Sequence, residues 1–247
     1  MIELPVWERT YFQPGGGAAH LFYKVHGDFD VKLAISPAEH RTLGVPEGMS
    51  LQLHSTDTSA AMRFGMDGAL ARTLDELGPE LSAAVEAAPR CAILRGIVDD
   101  PPTLDYLRDA VGVVQALFEA GGIAVFDPFQ MRWWTAAQWK ARVFDPGEAV
   151  PHQHAVILFS DDADGYRWYH TRGMLKFGRP DVSVRGVSPD MHDGVVELCN
   201  RFIEAQAMGA IVPEGQVIRM PGLPAWTCHT MGDLEDPDFN NRRIEIG

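Results

Sequence analysis

Two strand–helix–strand successions constrain what this chain can fold into. In the first, CAILRGIV from Cys91 to Val98 is a nearly continuous apolar run with β-branched members, which predicts a strand buried on both faces. Asp99-Asp100-Pro101-Pro102 turns the chain, and Thr103 stands where a helix cap is expected, with Asp105 in the first turn. Leu104, Leu107, Val111, Val114, Leu117 and Phe118 recur at helical spacing until Gly121-Gly122, and IAVFDP follows as a second strand. The second succession begins with the strand DVSVRGV and passes Ser188-Pro189, a favoured way to start a helix. Its apolar face is Met191, Val195, Leu198, Phe202 and Ala205, broadened by Cys199 and Ile203, and it runs to Gly209 before the strand-like QVIRM.

Shorter signals surround these two. Leu21–Val25 and Val31–Ile35 flank His26-Gly27-Asp28 and read as a hairpin, and Asp67–Ala88 reads as two short helices parted by Gly78-Pro79. Thr135 leads into a short helix over AAQWKARVF, AVILFS and YRWYHT form a hairpin around Asp164-Gly165, and RRIEI is a last strand. The expected fold is α+β, with antiparallel or mixed sheets and helices packed on one face, and two related α/β sandwich lobes are an open option. Residues 1–90 read as a β-rich then helical region and 91–247 as an α+β domain, with one continuous domain as the alternative. A length of 247 residues is compatible with both.

Composition narrows the function classes. With 46% apolar and 22% charged residues the chain has material for a core. No apolar stretch approaches the ~18–20 residues that span a bilayer, and the N-terminal MIELPVWERTYF has no basic leader. No membrane partner is therefore expected, and the cytoplasm is the expected compartment. Three cysteines, Cys91, Cys199 and Cys228, are far apart and odd in number, which suits buried thiols better than a disulfide framework. The 34 Asp and Glu against 21 Lys and Arg give a formal charge of −13, which repels nucleic acid and suits a basic protein partner.

The candidate site residues cluster in YHTRGMLKFGRPDVSVRGV, from Tyr169 to Val187. His170, Arg172, Lys176 and Arg179 could present donors to an anion or an acidic partner, while Gly173, Gly178 and Pro180 shape a turn. Replacing either glycine is expected to lower stability, whereas Arg172→Ala and Arg179→Ala are expected to spare the fold. His152-Gln153-His154 precedes a strand, and an i, i+2 pair on an extended segment shares a face. With His170 or His229 as a third ligand it is the candidate site for a divalent transition metal; otherwise no cofactor is expected. Cys228 and His229 are adjacent, so on a strand they point to opposite faces and do not make a dyad. The chain holds no Gly-x-Ser-x-Gly, His-Glu-x-x-His or Gly-x-Gly-x-x-Gly motif at a strand end.

The run His170-Thr-Arg-Gly-Met-Leu-Lys-Phe-Gly-Arg-Pro-Asp, followed by the Ser-Pro-led helix, resembles the Thr-x-Gly-Met-x-x-Phe-Gly-x-Pro-Glu/Asp signature of a bacterial family of domains of unknown function. The resemblance spans about residues 91–220. It implies an α+β domain without an assigned reaction, in a group associated with toxin and immunity systems, and it supplies no catalytic residues. The expectation is therefore a binding protein more than an enzyme: an immunity-like or regulatory partner of a basic protein. The alternatives are a metal-binding protein or metal-assisted enzyme built on His152 and His154, and a small anionic-ligand sensor.

Overall fold

A computed structural model describes residues 3–29, 33–55 and 59–247. The chain forms two compact units, one of Met1–Glu8 and His20–Val150, the other of Arg9–Ala19 and Pro151–Gly247. The expected boundary at 90/91 falls at the start of a strand interior to the first sheet. That sheet cannot be divided there, because the strand beginning at Arg90 is hydrogen-bonded on both sides.

The sheet of the first unit comprises β1 (Ala19–Gly27), β2 (Met49–Ser55), β3 (Arg90–Val98), β4 (Gly122–Asp127) and β5 (Arg132–Thr135), in the order β2-β3-β1-β4-β5. The pairs β2/β3, β1/β4 and β4/β5 are antiparallel. Its helices are α1 (Pro37–His40), α2 (Ser59–Arg63), α3 (Ala71–Asp75), α4 (Pro79–Glu86), α5 (Asp105–Glu119) and α6 (Ala136–Trp139). They lie on both faces, because side chains alternate along each strand. Phe126 and Trp133 pack with Leu74 of α3 and Val85 of α4, whereas Tyr23 meets Trp139 of α6 edge-on at 5.5 Å.

The helix foreseen after Pro102 is α5, buried along most of its length. Thr103 does not cap it: Leu104 is the cap residue, and Thr103 forms an isolated bridge with Glu8. Thr135 does cap α6, in a reciprocal box with Gln138. Among the described residues, no hairpin joins β1 to the expected partner segment 31–35. Leu33–Ile35 is not a strand, Val31 and Lys32 lie outside the described residues, and β1 pairs with β4, setting Val25 opposite Val125. β3 is buried on both faces only over Cys91–Leu94, after which Arg95 and Ile97 are exposed.

The second unit carries β6 (Val156–Asp161), β7 (Arg167–Arg172), β8 (Asp181–Val187), β9 (Val217–Ile218), β10 (Trp226–Met231) and β11 (Arg243–Ile246) in the order β6-β7-β8-β11-β10-β9. The sheet is mixed: β8 and β11 are parallel, and its other neighbours are antiparallel. One face packs on α7 (His192–Ala207), where Tyr169, Val182, Val184, Ile244 and Ile246 meet Val195, Leu198, Cys199 and Phe202. The α+β class with mixed sheets is the one expected. Strand β10 was not foreseen, because Cys228 alone is buried among Thr227, His229 and Thr230 and leaves no apolar run to read.

Gly173 and Gly178 bracket a 3-10 turn, Met174–Phe177, and both have positive φ, 107° and 63°. A Cβ at Gly173 would stand 2.3 Å from the His154 carbonyl oxygen, and one at Gly178 would stand 2.1 Å from that of Gly17. Both obstacles are backbone. Gly178→Ala is therefore expected to destabilise the second unit by about 2–3 kcal/mol, combining left-handed strain with backbone displacement. The denaturant midpoint measures this, and an unchanged midpoint would mean the turn relaxes freely.

Candidate functional site

Strand alternation gives the second sheet two unlike faces. Opposite the α7 face lie Trp168, His170 and Arg172 of β7, Ser183 and Arg185 of β8, and Arg243 and Glu245 of β11. Their rows are set by the pairing of His170 with Ser183 and of Ser183 with Glu245. This polar face carries a continuous stack. The Arg185 guanidinium lies 3.9 Å from the Trp168 ring centre, and Trp168 stacks on His170 at 4.3 Å. Phe239 meets Trp168 and His170 edge-on at 5.9 and 5.7 Å, and Arg172 lies over Phe239 at 4.4 Å.

Hydrogen bonds hold the stack in place. Trp168 Nε1 donates to Ser183 Oγ at 2.9 Å, Arg172 Nη2 donates to the Asp238 carbonyl, and Arg185 lies 3.9 Å from the Asp238 carboxylate. Arg243 pairs with Asp236 and, at 3.3 Å, with Glu245. Each cation over a ring contributes ~0.5–2 kcal/mol, more as water is excluded. Burial, helped by the positive charges of Arg172 and Arg185, pushes the His170 imidazole down to about 4. The ring is therefore neutral near pH 7, and its buried Nδ1 has no hydrogen-bond partner among the described residues.

The edge of this face is anchored by Asp181, which is fully buried. Its carboxylate accepts from Thr171 Oγ1 at 2.9 Å, from the Met174 amide at 3.3 Å and from Asn241 Nδ2 at 2.8 Å. Burial outweighs those donors and pushes the carboxyl up to about 6. Asn241 Nδ2 also donates to the Arg179 carbonyl at 3.1 Å, so this network ties the glycine-bounded turn to β8 and to the segment before β11.

The residues nominated from sequence separate. His170 and Arg172 share the polar face, as their i, i+2 spacing requires. Lys176 and Arg179 do not join them: their exposures are 0% and 2%. Arg179 donates to the carbonyls of Gly209 at 2.9 Å, Ala210 and Gly178 at 3.1 Å, and Gln13 at 3.3 Å. A four-residue anion cradle is thus not formed, because the backbone already occupies the Arg179 guanidinium.

The histidines separate too. His152 lies in a 3-10 turn, Pro151–Gln153, where strand alternation does not apply; it is exposed while His154 is buried. His154 packs edge-on against Phe177 at 6.2 Å, and burial, then the Lys176 charge, holds it well below the ordinary imidazole range. His229 is exposed on β10 and pairs with Glu214 at 2.7 Å. Among the described residues no group of three or more His, Cys, Asp or Glu is placed to hold a metal ion. The three thiols are buried. Burial pushes Cys199 up to about 12 and Cys228 up to about 11, and raises Cys91 as well, which leaves them protonated and poor nucleophiles.

Sequence reading missed Arg185, Phe239 and Asp238. The period-2 signal links Trp168, His170 and Arg172 on one strand, but Phe239 arrives from a loop some 70 residues later and carries no local sign of its destination. No helix among the described residues is long and apolar enough to cross a membrane. No family model, curated protein or solved structure matches the chain.

Proposed function

We propose that the protein acts by binding and not by catalysis, as an immunity-like or regulatory partner of a basic protein in the cytoplasm, with the polar face of the second sheet as its recognition surface. The observation that carries this reading is the ordered stack Arg185–Trp168–His170–Phe239–Arg172 on the sheet face opposite α7. Tryptophan and arginine dominate the energetics of protein interfaces, and groups already held in place lose little freedom on association. The charge of −13 favours a basic partner through steering and rejects acidic competitors. The resemblance of residues 91–220 to a family associated with toxin and immunity systems agrees with this reading. Desolvated thiols and dispersed histidines give a catalytic or metal-centred reading less support.

Affinity capture from extract of the native host tests the proposal, with wild type and Arg185→Ala as parallel baits. Arg185 is exposed enough for its truncation to leave the core intact. Wild type is expected to retain a basic protein at low ionic strength and release it as salt rises, and the variant is expected to bind it about tenfold more weakly. Equal retention by both baits would reject this face as the recognition surface. A clean monomer that captures nothing would reject the binding-partner reading itself.

A further inference from the structure

In the first unit a trough opens on the sheet face that carries Phe22, Ile93 and Arg95. It consists of two hollows that share Phe22 and Arg95. One, of about 540 Å³, is lined also by His20, Met49, Ser50, Ile97 and Phe129; the other, of about 260 Å³, by Gln52, His54, Phe64 and Ile93. Cavities of a few hundred Å³ suit small organic ligands. The strand register explains the lining: Ser50 lies opposite Arg95, Gln52 opposite Ile93 and His54 opposite Cys91, so alternate residues of β2 and β3 face the same side. The larger hollow ends where Gly48 and Gly96 bring two backbones together. A Cβ on Gly96 would meet the Gly48 oxygen at 2.3 Å, and one on Gly48 would meet the Ile97 oxygen at 2.6 Å.

The charge of the trough is opposite to that of the chain. Among the described residues no Asp or Glu lines either hollow, and Arg95 is the one Arg or Lys that does. In a chain with 34 acidic and 21 basic residues, Arg95 is exposed, and no carboxylate or carbonyl among the described residues occupies its guanidinium. His20, held below the ordinary imidazole range by burial, and the hydroxyl of Ser50 add neutral polar groups beside it. Each hollow that Arg95 lines also carries exposed apolar surface, Ile97 in the larger and Phe64 in the smaller. Ile97 is 54% and Phe64 41% exposed, and Phe22 meets Phe64 at 5.4 Å.

We propose that this trough binds an organic monoanion, a carboxylate carried on an aromatic or branched aliphatic body, with the carboxylate on Arg95 and the body against Phe22, Phe64 and Ile97. A planar guanidinium matches a carboxylate through two parallel hydrogen bonds. A single Arg or Lys among the described lining residues favours one negative charge over a phosphate dianion, and the exposed rings and Ile97 favour an apolar body over a bare ion. The site lies in a different unit from the recognition surface proposed above and does not depend on it.

Amide chemical-shift titration of the full chain with 4-phenylbutyrate, 4-phenylbutyramide and inorganic phosphate tests the inference. The carboxylate is expected to shift resonances of residues 20–22, 49–54 and 93–97. The amide and phosphate are each expected to bind about tenfold more weakly or not at all, which is the loss of one charge-assisted contact or of the apolar contact. Arg95→Gln removes a guanidinium with no hydrogen-bond or ion-pair partner among the described residues, and it is expected to keep the wild-type spectrum elsewhere and to weaken carboxylate binding by about tenfold. Equal binding of acid and amide, equal binding of phosphate, unaltered affinity in Arg95→Gln, shifts confined to other residues, or no shifts at millimolar carboxylate would each overturn it.

Discussion

Arg179→Ala is expected to leave the second unit largely unfolded under conditions in which the wild type is native. The side chain is 2% exposed, and its guanidinium donates to four backbone carbonyls, two of which, Gly209 and Ala210, follow the C-terminus of α7. The last carbonyls of a helix lack partners within the helix and carry the negative end of its dipole, so a buried cation is well suited to them. Arg9 assists, donating from Nε to Ala207 at 3.2 Å and from Nη2 to Phe177 at 3.0 Å. Truncation at 179 strands buried acceptors and opens a cavity, a combined loss of about 4–5 kcal/mol. Domain stabilities are about 5–15 kcal/mol, so the loss approaches the whole. Arg179→Lys is expected to fall between, keeping the charge and losing the fork geometry. Urea unfolding followed by far-UV dichroism measures both. A cost below about 1 kcal/mol for Arg179→Ala would place the guanidinium in solvent and restore it as a ligand-binding group. The sequence-based expectation that this substitution spares the fold is therefore corrected; Arg172→Ala, at a partly exposed position on the polar face, keeps it.

Acidification is expected to destabilise the first unit steeply below pH 6.5, chiefly through His26. This residue is fully buried, its ring lies 5.6 Å from that of Trp133, and neither nitrogen has a hydrogen-bond partner among the described residues. Burial, then the nearby Lys24 ammonium, pushes it down to about 3; Lys24 itself donates to the Met62 and Phe64 carbonyls at 2.7 and 2.8 Å. The sign follows from the lowered value. Between pH 6.5 and about 3 the unfolded chain takes up a proton that the folded unit refuses, so stability is complete above 6.5 and falls with pH. At pH 4.5 the loss is about 2.7 kcal/mol, two pH units at about 1.36 kcal/mol each.

In the second unit the lowered His154 and His170 act in the same direction. Asp181 acts oppositely: its carboxyl, raised to about 6, contributes stability that is complete below 3.8 and lost as pH rises through 6. A pH series of denaturation midpoints for wild type and His26→Phe measures the effect. The variant is expected to lose stability less steeply from pH 6.5 to 4.5, and an unchanged slope would mean that His26 is hydrated in solution.

The elements legible in the sequence are those whose signals are local. Helix α7 follows from apolar residues on one face, α6 from Thr135 and Gln138 three residues apart, and the β6/β7 hairpin from two strand-like runs around Asp164-Gly165, where φ is 57° and 79°. The glycine-bounded turn was equally readable, since its left-handed positions belong to the residues themselves. Pairing of β1 with β4 was not, because nearly 100 residues separate partners such as Val25 and Val125. Nor was the interior fate of Arg179, since one of its acceptors, Gln13, is 166 positions away.

By itself the sequence determined the α+β class, the two long helices, the glycine turn and the shared face of His170 and Arg172, because periodicity and backbone preference act within a few residues. Only the tertiary structure decided which charged groups serve the fold and which stay on exposed faces. A cation's role depends on what faces it: Arg179 meets the carbonyls beyond α7, Arg185 meets the ring of Trp168, and Arg95 meets a trough without Asp or Glu among the described residues. Those neighbours are set by long-range packing, where the cost of burying an unpaired polar group makes the choice.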